Sequence, residues 1–321
     1  MSNILITGCA GFIGSSLCEL LLETSKNDII IGIDNFDPFY SKKTKLNNIK
    51  NLKANKRFIF YEVDILNQIK LKKIKERIDL CIHLAAKPGV VQSISNPKSY
   101  LKNNLIGTSS LIEFLRYKNV KKIIFASSSS IYKSVDNQPF VEGKSKEHPL
   151  SPYGLSKLFC EYYLDSVNKN FGVDIVKLRL FSVYGPRMRP DLAIYNFTNQ
   201  ILKEKTIKIY GDGSSSRDYT YIDDVIIGIK NTVRFIKENN NVCETINLGK
   251  SQPVKITRLI EKLSFALNKK AKTKNTPSNE FELNSTFADI TKAKKLIGYQ
   301  PKIELTNGIE KFVKWYYKNH L

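Results

Sequence analysis

The stretch NILITGCAGFIGSSLCELLLE spans residues 3–23. Its first five residues are largely branched and apolar, as in a buried parallel strand, and the segment after Phe12 has the spacing of a helix. Between them, Gly8, Gly11 and Gly14 form a GxxGxxG turn. Glycines at such a junction let the backbone approach a pyrophosphate, which then lies at the positive end of the helix. The stretch therefore predicts a dinucleotide site.

The rest of the first 180 residues continues this alternation of short apolar runs and longer amphipathic segments. The runs predict six strands: Asn3–Thr7, Ile29–Asp34, Phe58–Val63, Leu80–Leu84, Lys122–Ala126 and Asp174–Arg179. The longer segments predict three helices: Phe12–Glu23, Ser95–Tyr117 and Tyr153–Phe171. The polar segment Tyr40–Lys56 reads as an excursion from the sheet. Such alternation is typical of an α/β fold, a Rossmann-like doubly wound parallel sheet.

The alternation of short apolar runs and amphipathic segments ends after Gly185. A loop rich in proline and arginine leads to a helix near Tyr195–Lys205, a strand at Ile207–Tyr210 and a Gly/Ser turn, and residues 251–321 predict helices and loops. We expect a dinucleotide-binding domain over 1–182 plus about 221–250. A smaller α/β substrate-binding domain, built from insertions and the C-terminal tail, should occupy about 183–220 and 251–321.

Composition narrows the functional classes. The net charge is +21, but it comes from 42 lysines spread along the chain and only 9 arginines, which favours a solvated surface over a nucleic-acid site. No apolar run is long enough for a membrane helix. Five scattered cysteines fit reduced thiols in the cytoplasm, and three distant histidines argue against a metal site.

Two acidic residues follow predicted strands at the nucleotide end. Asp34 ends the second strand, 26 residues after Gly8. A carboxylate there can hold both ribose hydroxyls and repels a 2′-phosphate, which favours NAD over NADP. Asp64, after the third strand, either contacts the adenine amino group or simply caps the strand end.

A tyrosine and a lysine four residues apart mark the predicted catalytic helix. Tyr153 and Lys157 lie one turn apart on one face, but so do Tyr117 and Lys121. Context separates the two pairs. Tyr153 opens a helix after the fifth strand, which ends in the serines 127–130, and ligands bind at the carboxyl ends of such strands. The other pair lies at the opposite end of the sheet.

Nearly the whole chain resembles the extended short-chain dehydrogenases that modify nucleotide sugars, the NAD-dependent epimerase/dehydratase family. The matching segments are TGCAGFIG (7–14), DN (34–35), HLAA (83–86), NLIGT (104–108), SSSSIY (127–132), YGLSK (153–157), LRLFSVYGPR (178–187), GDGSSSRDYTYIDD (211–224) and ADITKAKKLIGY (288–299). Lys133 departs from the glycine that is usual after the tyrosine.

The resemblance implies a role for each matching residue. Ser128 would polarise the sugar hydroxyl, Tyr153 would remove its proton, and Lys157 would bind the nicotinamide ribose and lower the pKa of Tyr153. Asn104 would lie near the nicotinamide, and Arg217 would pair with the UDP phosphates. The implied NAD contacts are Gly8, Gly11, Phe12, Ile13, Gly14, Asp34, Asn35, Asp64, Ile65, Leu84, Ala85, Ala86, Asn104, Tyr153 and Lys157.

The predicted helices at 95–117 and 153–171 could form the dimer interface common in the family.

Three reactions in the family begin with oxidation at carbon 4 of the sugar. A 4,6-dehydratase has Asp-Glu at the positions of Ser129 and Ser130, and a UDP-glucuronate decarboxylase usually has Glu at the second. A 4-epimerase needs no further catalytic group, because the transient ketone only has to rotate before the hydride returns. The two serines therefore favour an epimerase.

The sugar is predicted from the segment Ser182–Asp191, which resembles the T/S-V-Y-G-P-x-x-R-P-D of UDP-glucuronate 4-epimerases. A carboxylate at carbon 6 requires a guanidinium and hydroxyl donors, and Arg189, Ser182 and the two serines supply them. Arg187 and Tyr210 complete the expected substrate contacts. We expect conversion of UDP-glucuronate to UDP-galacturonate. Alternatives are 4-epimerases of UDP-glucose, UDP-N-acetylglucosamine or its uronic acid, a decarboxylase, and a non-catalytic NAD-binding protein.

Overall fold

The computed structural model describes residues 2–132, 138–277 and 284–320, so Lys133 lies outside the described residues. The strands are β1 Asn3–Thr7, β2 Ile29–Asp34, β3 Phe58–Glu62, β4 Leu80–His83, β5 Lys122–Ser128, β6 Asp174–Leu180, β7 Ser182–Tyr184, β8 Thr206–Tyr210, β9 Ser216–Tyr221, β10 Cys243–Leu248, β11 Pro253–Lys255 and β12 Lys272–Thr276. The helices are α1 Phe12–Thr24, α2 Lys42–Ile49, α3 Gln68–Leu71, α4 Val90–Ser95, α5 Pro97–Tyr100, α6 Gly107–Tyr117, α7 Pro152–Phe171, α8 Ala193–Leu202, α9 Ile222–Glu238, α10 Ile256–Ala266, α11 Thr291–Ile297 and α12 Leu305–His320.

Seven strands form one parallel sheet in the order β10-β6-β5-β4-β1-β2-β3. Chain order reverses between β1 and β4, and Ile4 of β1 pairs with Ile30 on one side and Leu80 on the other. A crevice opens at the carboxyl ends of the strands at such a reversal. The predicted doubly wound α/β fold is confirmed, and its seventh strand, β10, comes from beyond the first 180 residues.

The sheet is buried on both faces, which explains its near-continuous apolar strands. On one face Ile4 and Ile6 join the core that contains Leu17 of α1 and Ile229 of α9. On the other face Leu5 packs into a second core beneath α6 and α7. Helices on both faces thus fix the strand ends that line the crevice.

The remaining elements form a smaller unit around two short sheets. One sheet has the order β11-β9-β7, and the other pairs β12 with β8. The expectation that residues 251–321 hold only helices and loops was wrong, since β11 and β12 lie there. The division into domains stays a prediction.

One other sequence-based expectation was wrong. The predicted helix Ser95–Tyr117 is interrupted, because Asn96 accepts a hydrogen bond from the Ser99 amide and Pro97 starts a new helix. A π-helical segment, Leu101–Ile106, then leads into α6. The polar segment Tyr40–Lys56 lies outside the main sheet, as expected, and contains α2, whose Asn48 is buried and donates to the Ala10 carbonyl at 3.1 Å.

A buried carboxylate ties the two units together. Asp218 of β9 has no exposed surface. Its oxygens accept hydrogen bonds from the amides of Lys250 and Ser251, which follow β10, and from Ala288, at 2.8, 2.9 and 3.0 Å. Burial raises its pKa, while these amide donors act in the opposite direction. The smaller sheet is thereby fixed against the end of the main sheet.

Asp218→Ala should lower the free energy of unfolding by about 3–5 kcal/mol, because three buried amides lose their acceptor at about 1–3 kcal/mol each. Urea unfolding followed by circular dichroism measures the change. Asp212→Ala, at an exposed loop position, is the matched control and should change stability little. A loss below about 1 kcal/mol for the Asp218 variant would contradict this tie.

Candidate active site

A cavity of about 910 Å³ lies at the carboxyl ends of the strands and extends toward β8 and β9. Nearly all predicted site residues line it: Gly8, Gly11, Phe12, Ile13, Gly14, Asp34, Asn35, Asp64, Ile65, Leu84, Ala85, Ala86, Ser128, Ser129, Ser130, Tyr153, Lys157, Ser182, Arg189, Tyr210 and Arg217. Asn104 and Arg187 do not. The volume suits a large ligand or two adjoining ones.

The glycine turn packs closely against the protein's own backbone, which leaves no room for a Cβ at two of its positions. Gly8 has φ +69°, and a Cβ there would lie 2.9 Å from the Ala85 amide nitrogen. A Cβ on Gly14 would lie 2.2 Å from the Gly8 carbonyl oxygen. The first turn of α1 carries no acidic side chain that would repel an anion. These residues fit a dinucleotide pyrophosphate at the start of α1.

Asp34 lies beside this turn. One of its carboxylate oxygens accepts a hydrogen bond from the Ala10 amide at 3.1 Å and the other from the Phe36 amide at 2.8 Å. Burial raises its pKa, and these amide donors act against that rise. Each oxygen keeps a free lone pair, so the carboxylate can still accept from ribose hydroxyls.

Asp64 performs the strand-end function that the sequence left open, since it accepts from the Leu66 amide at 2.8 Å. Its second oxygen accepts from the Asn35 side chain, also at 2.8 Å. Both side chains line the cavity, so an adenine contact stays a prediction.

Ser128, Tyr153 and Lys157 meet where β5 ends against the start of α7. The helix begins there because Ser151 caps it by accepting from the Gly154 amide and Pro152 occupies its first turn. The Ser128 hydroxyl accepts a hydrogen bond from the Ser130 amide at 3.2 Å. Burial raises the pKa of Tyr153, while the neighbouring Ser128 hydroxyl and the Arg189 charge act to lower it. The three side chains can orient a hydroxyl and take its proton.

Lys157 is a buried cation that no carboxylate pairs within the described ranges. Its Nζ donates to the Ala126 carbonyl at 2.7 Å and lies 4.8 Å from the centre of the Phe125 ring. Burial lowers its pKa to about 8, although Cys160 and Glu161 act to raise it. Its expected lowering of the Tyr153 pKa stays a prediction.

Lys157→Met should stabilise the protein freed of bound nucleotide. Because the pKa of Lys157 falls from 10.5 to about 8 on folding, the unfolded chain binds more protons. The buried ammonium therefore destabilises the folded protein fully below pH 8, and this destabilisation disappears as the pH rises toward 10.5. At pH 7 the free energy of unfolding of the variant should rise by about 2 kcal/mol, after about 1 kcal/mol is subtracted for the hydrogen bond that Lys157 loses.

Denaturant unfolding at pH 7 and pH 9.5 measures this difference, which should shrink at the higher pH. Lys314→Met, at an exposed position of α12, is the control and should show no such pH dependence. A less stable Lys157→Met protein at pH 7 would show that the buried ammonium is not a cost.

Asn104 lies behind the cavity, buried in the π-helical segment. Its side chain accepts from the Lys87 amide at 2.7 Å and donates to the Lys87 carbonyl and the Ser156 hydroxyl. The expectation that Asn104 lies close to the nicotinamide stays a prediction. In this structure its side-chain amide joins the loop after β4 to α7.

Arg187 and Arg189 diverge although they are two residues apart. Gly185 has φ +140° and Arg187 has φ +68°, so the chain turns sharply between them. Arg187 donates to Glu19 of α1 at 2.8 Å, away from the cavity. The expected contact of Arg187 with the sugar stays a prediction, and in this structure Arg187 does not line the cavity. Arg189 faces the cavity.

Sequence reasoning missed several residues that line the cavity. They include Phe39, Tyr40, Lys45, Lys87, Asp191, Asn196 and Gln200. The Tyr40 hydroxyl is buried and lacks a hydrogen-bond partner among the described residues. A signal existed only for Asp191, which ends the segment 182–191. Asn196 and Gln200 lie in the predicted helix near Tyr195–Lys205, but nothing in the sequence indicated which of its residues face the cavity.

Two further features are absent from the described ranges. No group of three potential metal ligands occurs there. No described helix is both long and apolar enough to cross a membrane.

A family profile described as "GDP-mannose 4,6 dehydratase" matches residues 5–312. The chain belongs to this NAD-dependent epimerase/dehydratase family. It is 40% identical to a UDP-glucuronate 4-epimerase of Thermodesulfobacterium geofontis, over 99% of this chain and 97% of that protein. The family resemblance found from the motifs is thus confirmed.

Solved structures of this family match the whole fold. The UDP-glucuronic acid 4-epimerase of Bacillus cereus, in complex with UDP-glucuronic acid and NAD, has a TM-score of 0.92 at 38% identity, covering 98% of this chain and 99% of its own. The UDP-glucose 4-epimerase of Thermotoga maritima, with UDP-glucose, has a TM-score of 0.88 at 31% identity, covering 98% and 99%. Both relatives are 4-epimerases, whereas the family profile carries a dehydratase description.

Proposed function

We propose that this protein is an NAD-dependent UDP-sugar 4-epimerase that interconverts UDP-glucuronate and UDP-galacturonate. One observation carries the proposal: end-to-end similarity to UDP-glucuronate 4-epimerases accompanies a cavity in which Ser128, Tyr153 and Lys157 meet Arg189. The positions that a dehydratase needs for its acid/base pair are Ser129 and Ser130, which also line the cavity.

The residues of the nucleotide end would hold NAD, which supplies a reversible hydride acceptor when bound. Gly8, Gly11 and Gly14 would accommodate its pyrophosphate, and Asp34 would accept from its adenosine ribose. Lys157 would donate to the nicotinamide ribose. These assignments rest on the close backbone approach at the turn and on the free lone pairs of Asp34.

Proton transfer would fall to the chain's own residues. The Ser128 hydroxyl would orient the carbon 4 hydroxyl, and the Tyr153 oxygen would accept its proton and later return it. Lys157 has a pKa of about 8, so its ammonium is still largely protonated near neutral pH and can stabilise the tyrosinate. Epimerisation needs no third acid or base, which suits the two serines beside this set.

The substrate end favours a uronate. Arg189 would bind the carboxylate at carbon 6, and Ser129, Ser130 and Ser182 would donate from their hydroxyls. Arg217 would contact the diphosphate, and Tyr210 lies at the same end. UDP-glucose is the second candidate, because the similarity to the Thermotoga enzyme also spans the chain. Proton NMR of products from UDP-glucuronate, UDP-glucose and UDP-N-acetylglucosamine tests the choice.

We also propose a cytoplasmic homodimer. Apolar side chains remain exposed along the outer surface of α7, namely Leu155, Phe159 and Tyr162, and Ile106 is exposed on the π-helical segment. These lie on the two stretches expected to pair across a dimer. All five cysteines are free thiols, as in a reducing compartment.

Tyr153→Phe should reduce epimerase turnover by about 10²–10⁴-fold, because a positioned general base is lost. Binding of NAD and UDP-sugar should hardly change, since the ring remains. Turnover is measured by NMR and binding by calorimetry. Tyr117→Phe, at an exposed position, is the control. Retention of more than about a tenth of wild-type turnover would assign the proton transfer to another group.

Arg189→Ala should reduce kcat/KM for UDP-glucuronate by about 10–150-fold, the loss of one charge-assisted hydrogen bond worth about 1.5–3 kcal/mol. Activity on UDP-glucose should fall far less, because that sugar has no carboxylate. Parallel kinetics with both sugars measure the difference. An equal loss with both would make Arg189 a structural loop residue and remove the main support for a uronate substrate.

A further inference from the structure

The structure places a second charge next to Arg189. Asp191 accepts from Nε of Arg189 at one carboxylate oxygen and from Nη2 at the other, both at 3.0 Å. The side chains are 19% and 21% exposed, and both residues line the cavity. In the part of the chain that the structure describes, Asp191 is the only carboxylate paired with Arg189. The guanidinium in the sugar region is thus already paired.

Local geometry keeps this pair together. Only Pro190 separates the two residues, and its ring restricts the backbone between them. The Leu192 amide donates to the Arg189 carbonyl at 3.2 Å, and α8 begins at the next residue. A negative charge just before a helix is favourable. The two side chains therefore do not have to come together from separate elements.

Neighbouring groups experience both charges of the pair. At Tyr100, burial raises the pKa to about 12, while Arg189 acts to lower it and Asp191 to raise it. The same two opposing effects act on the pKa of Tyr40, which burial also raises. At Tyr153, by contrast, Arg189 acts to lower the pKa without an opposing contribution from Asp191. A ligand on the side of Tyr40 and Tyr100 would therefore meet both charges of the pair.

We propose that Asp191 is a specificity-determining residue, an internal carboxylate that competes with the substrate carboxylate for Arg189 and thereby limits preference for uronates over neutral UDP-sugars. The inference rests on the proposed function. Two substrate geometries are available, and the aspartate opposes both.

In the first geometry the substrate carboxylate displaces Asp191 from Nε and Nη2, and the broken ion pair offsets the new one. In the second, the substrate binds the Nη1 and Nη2 edge, since a guanidinium has five N–H donors and Asp191 takes two. A second negative charge then lies within a few ångströms of the first and is repelled. A neutral sugar neither breaks the ion pair nor is repelled by Asp191. The difference in binding between charged and neutral sugars therefore appears as substrate selectivity.

The test compares wild type, Asp191→Asn and Asp191→Glu with UDP-glucuronate and UDP-glucose. Asparagine keeps the shape and one acceptor but removes the charge, whereas glutamate keeps the charge. Asp191→Asn should raise the ratio of kcat/KM for UDP-glucuronate to that for UDP-glucose by about tenfold. The change should come from a lower KM for UDP-glucuronate. Both substrates carry the same diphosphate, so charge effects on the phosphates cancel in the ratio.

Two controls accompany the kinetics. Asp191→Glu should leave the ratio within about threefold of wild type, because the competing charge remains. Glu261→Gln removes one carboxylate from the exposed Arg258–Glu261 pair and should leave both substrates unaffected. Where UDP-glucose turnover is slow, its inhibition constant against UDP-glucuronate replaces its KM. Thermal melts establish that each variant is folded.

An unchanged or lower ratio for Asp191→Asn would overturn the proposal, a lower ratio showing that Asp191 orients Arg189 instead of competing for it. That failure differs from failure of the proposed function. If Arg189→Ala selectively impairs UDP-glucuronate while Asp191→Asn leaves the ratio unchanged, only the present inference fails. If Arg189→Ala impairs both sugars equally, the uronate assignment itself fails.

Discussion

The hydroxyl of Thr7 joins the two strands between which the cavity opens. It accepts hydrogen bonds from the amides of Leu84 and Ala85 at 3.1 and 3.0 Å, so its own proton goes to Nδ1 of His83 at 2.7 Å. The ring therefore donates from Nε2 to Thr108, whose hydroxyl donates to the Asn104 carbonyl. Burial lowers the pKa of His83 to about 3, and Lys157 acts in the same direction, so the ring stays neutral and this order of donors holds. This chain of hydrogen bonds links the residue before the glycine turn to the loop after β4 and to the π-helical segment, and the Asn104 side chain extends it to Ser156 of α7.

Features of the fold and site that adjacent residues determine could be predicted from the sequence, whereas features that tertiary contacts determine could not. The first strand, its glycine turn and α1 follow from adjacent residues, and Tyr153 and Lys157 share a face through helical spacing alone, so these were predicted correctly. Arg187 and Arg189 were not separable in sequence, because their divergence comes from the backbone turn after Gly185. Asn104 carried a family signal for the cofactor, but tertiary neighbours that no local pattern reveals engage its side chain.

Tertiary contacts also decide features of other segments that local composition does not reveal. The polar composition of residues 40–56 indicates exposure, yet Lys45 is buried with its Nζ donating to the Asp37 carbonyl at 2.7 Å. A lysine can bury its aliphatic stem against neighbours while its ammonium donates to a carbonyl. The neighbouring sequence does not predict this arrangement. Strands β11 and β12 are short and lie at positions where tertiary pairing, not propensity, decides their conformation.

Two arginines and two lysines near the site have different kinds of partner. Arg179 is paired with Glu161 at 2.6 Å and Arg189 with Asp191, because a guanidinium cannot shed its charge when it leaves water. Lys45 and Lys157 hydrogen-bond to carbonyls instead, and burial lowers the pKa of each. The protonation of an ammonium whose pKa lies near neutrality changes when a charge forms beside it, whereas that of a paired guanidinium changes little. The cation with the lowered pKa thus lies next to Tyr153, where the proposed proton transfer would occur, and the paired cation lies where a sugar substituent would bind.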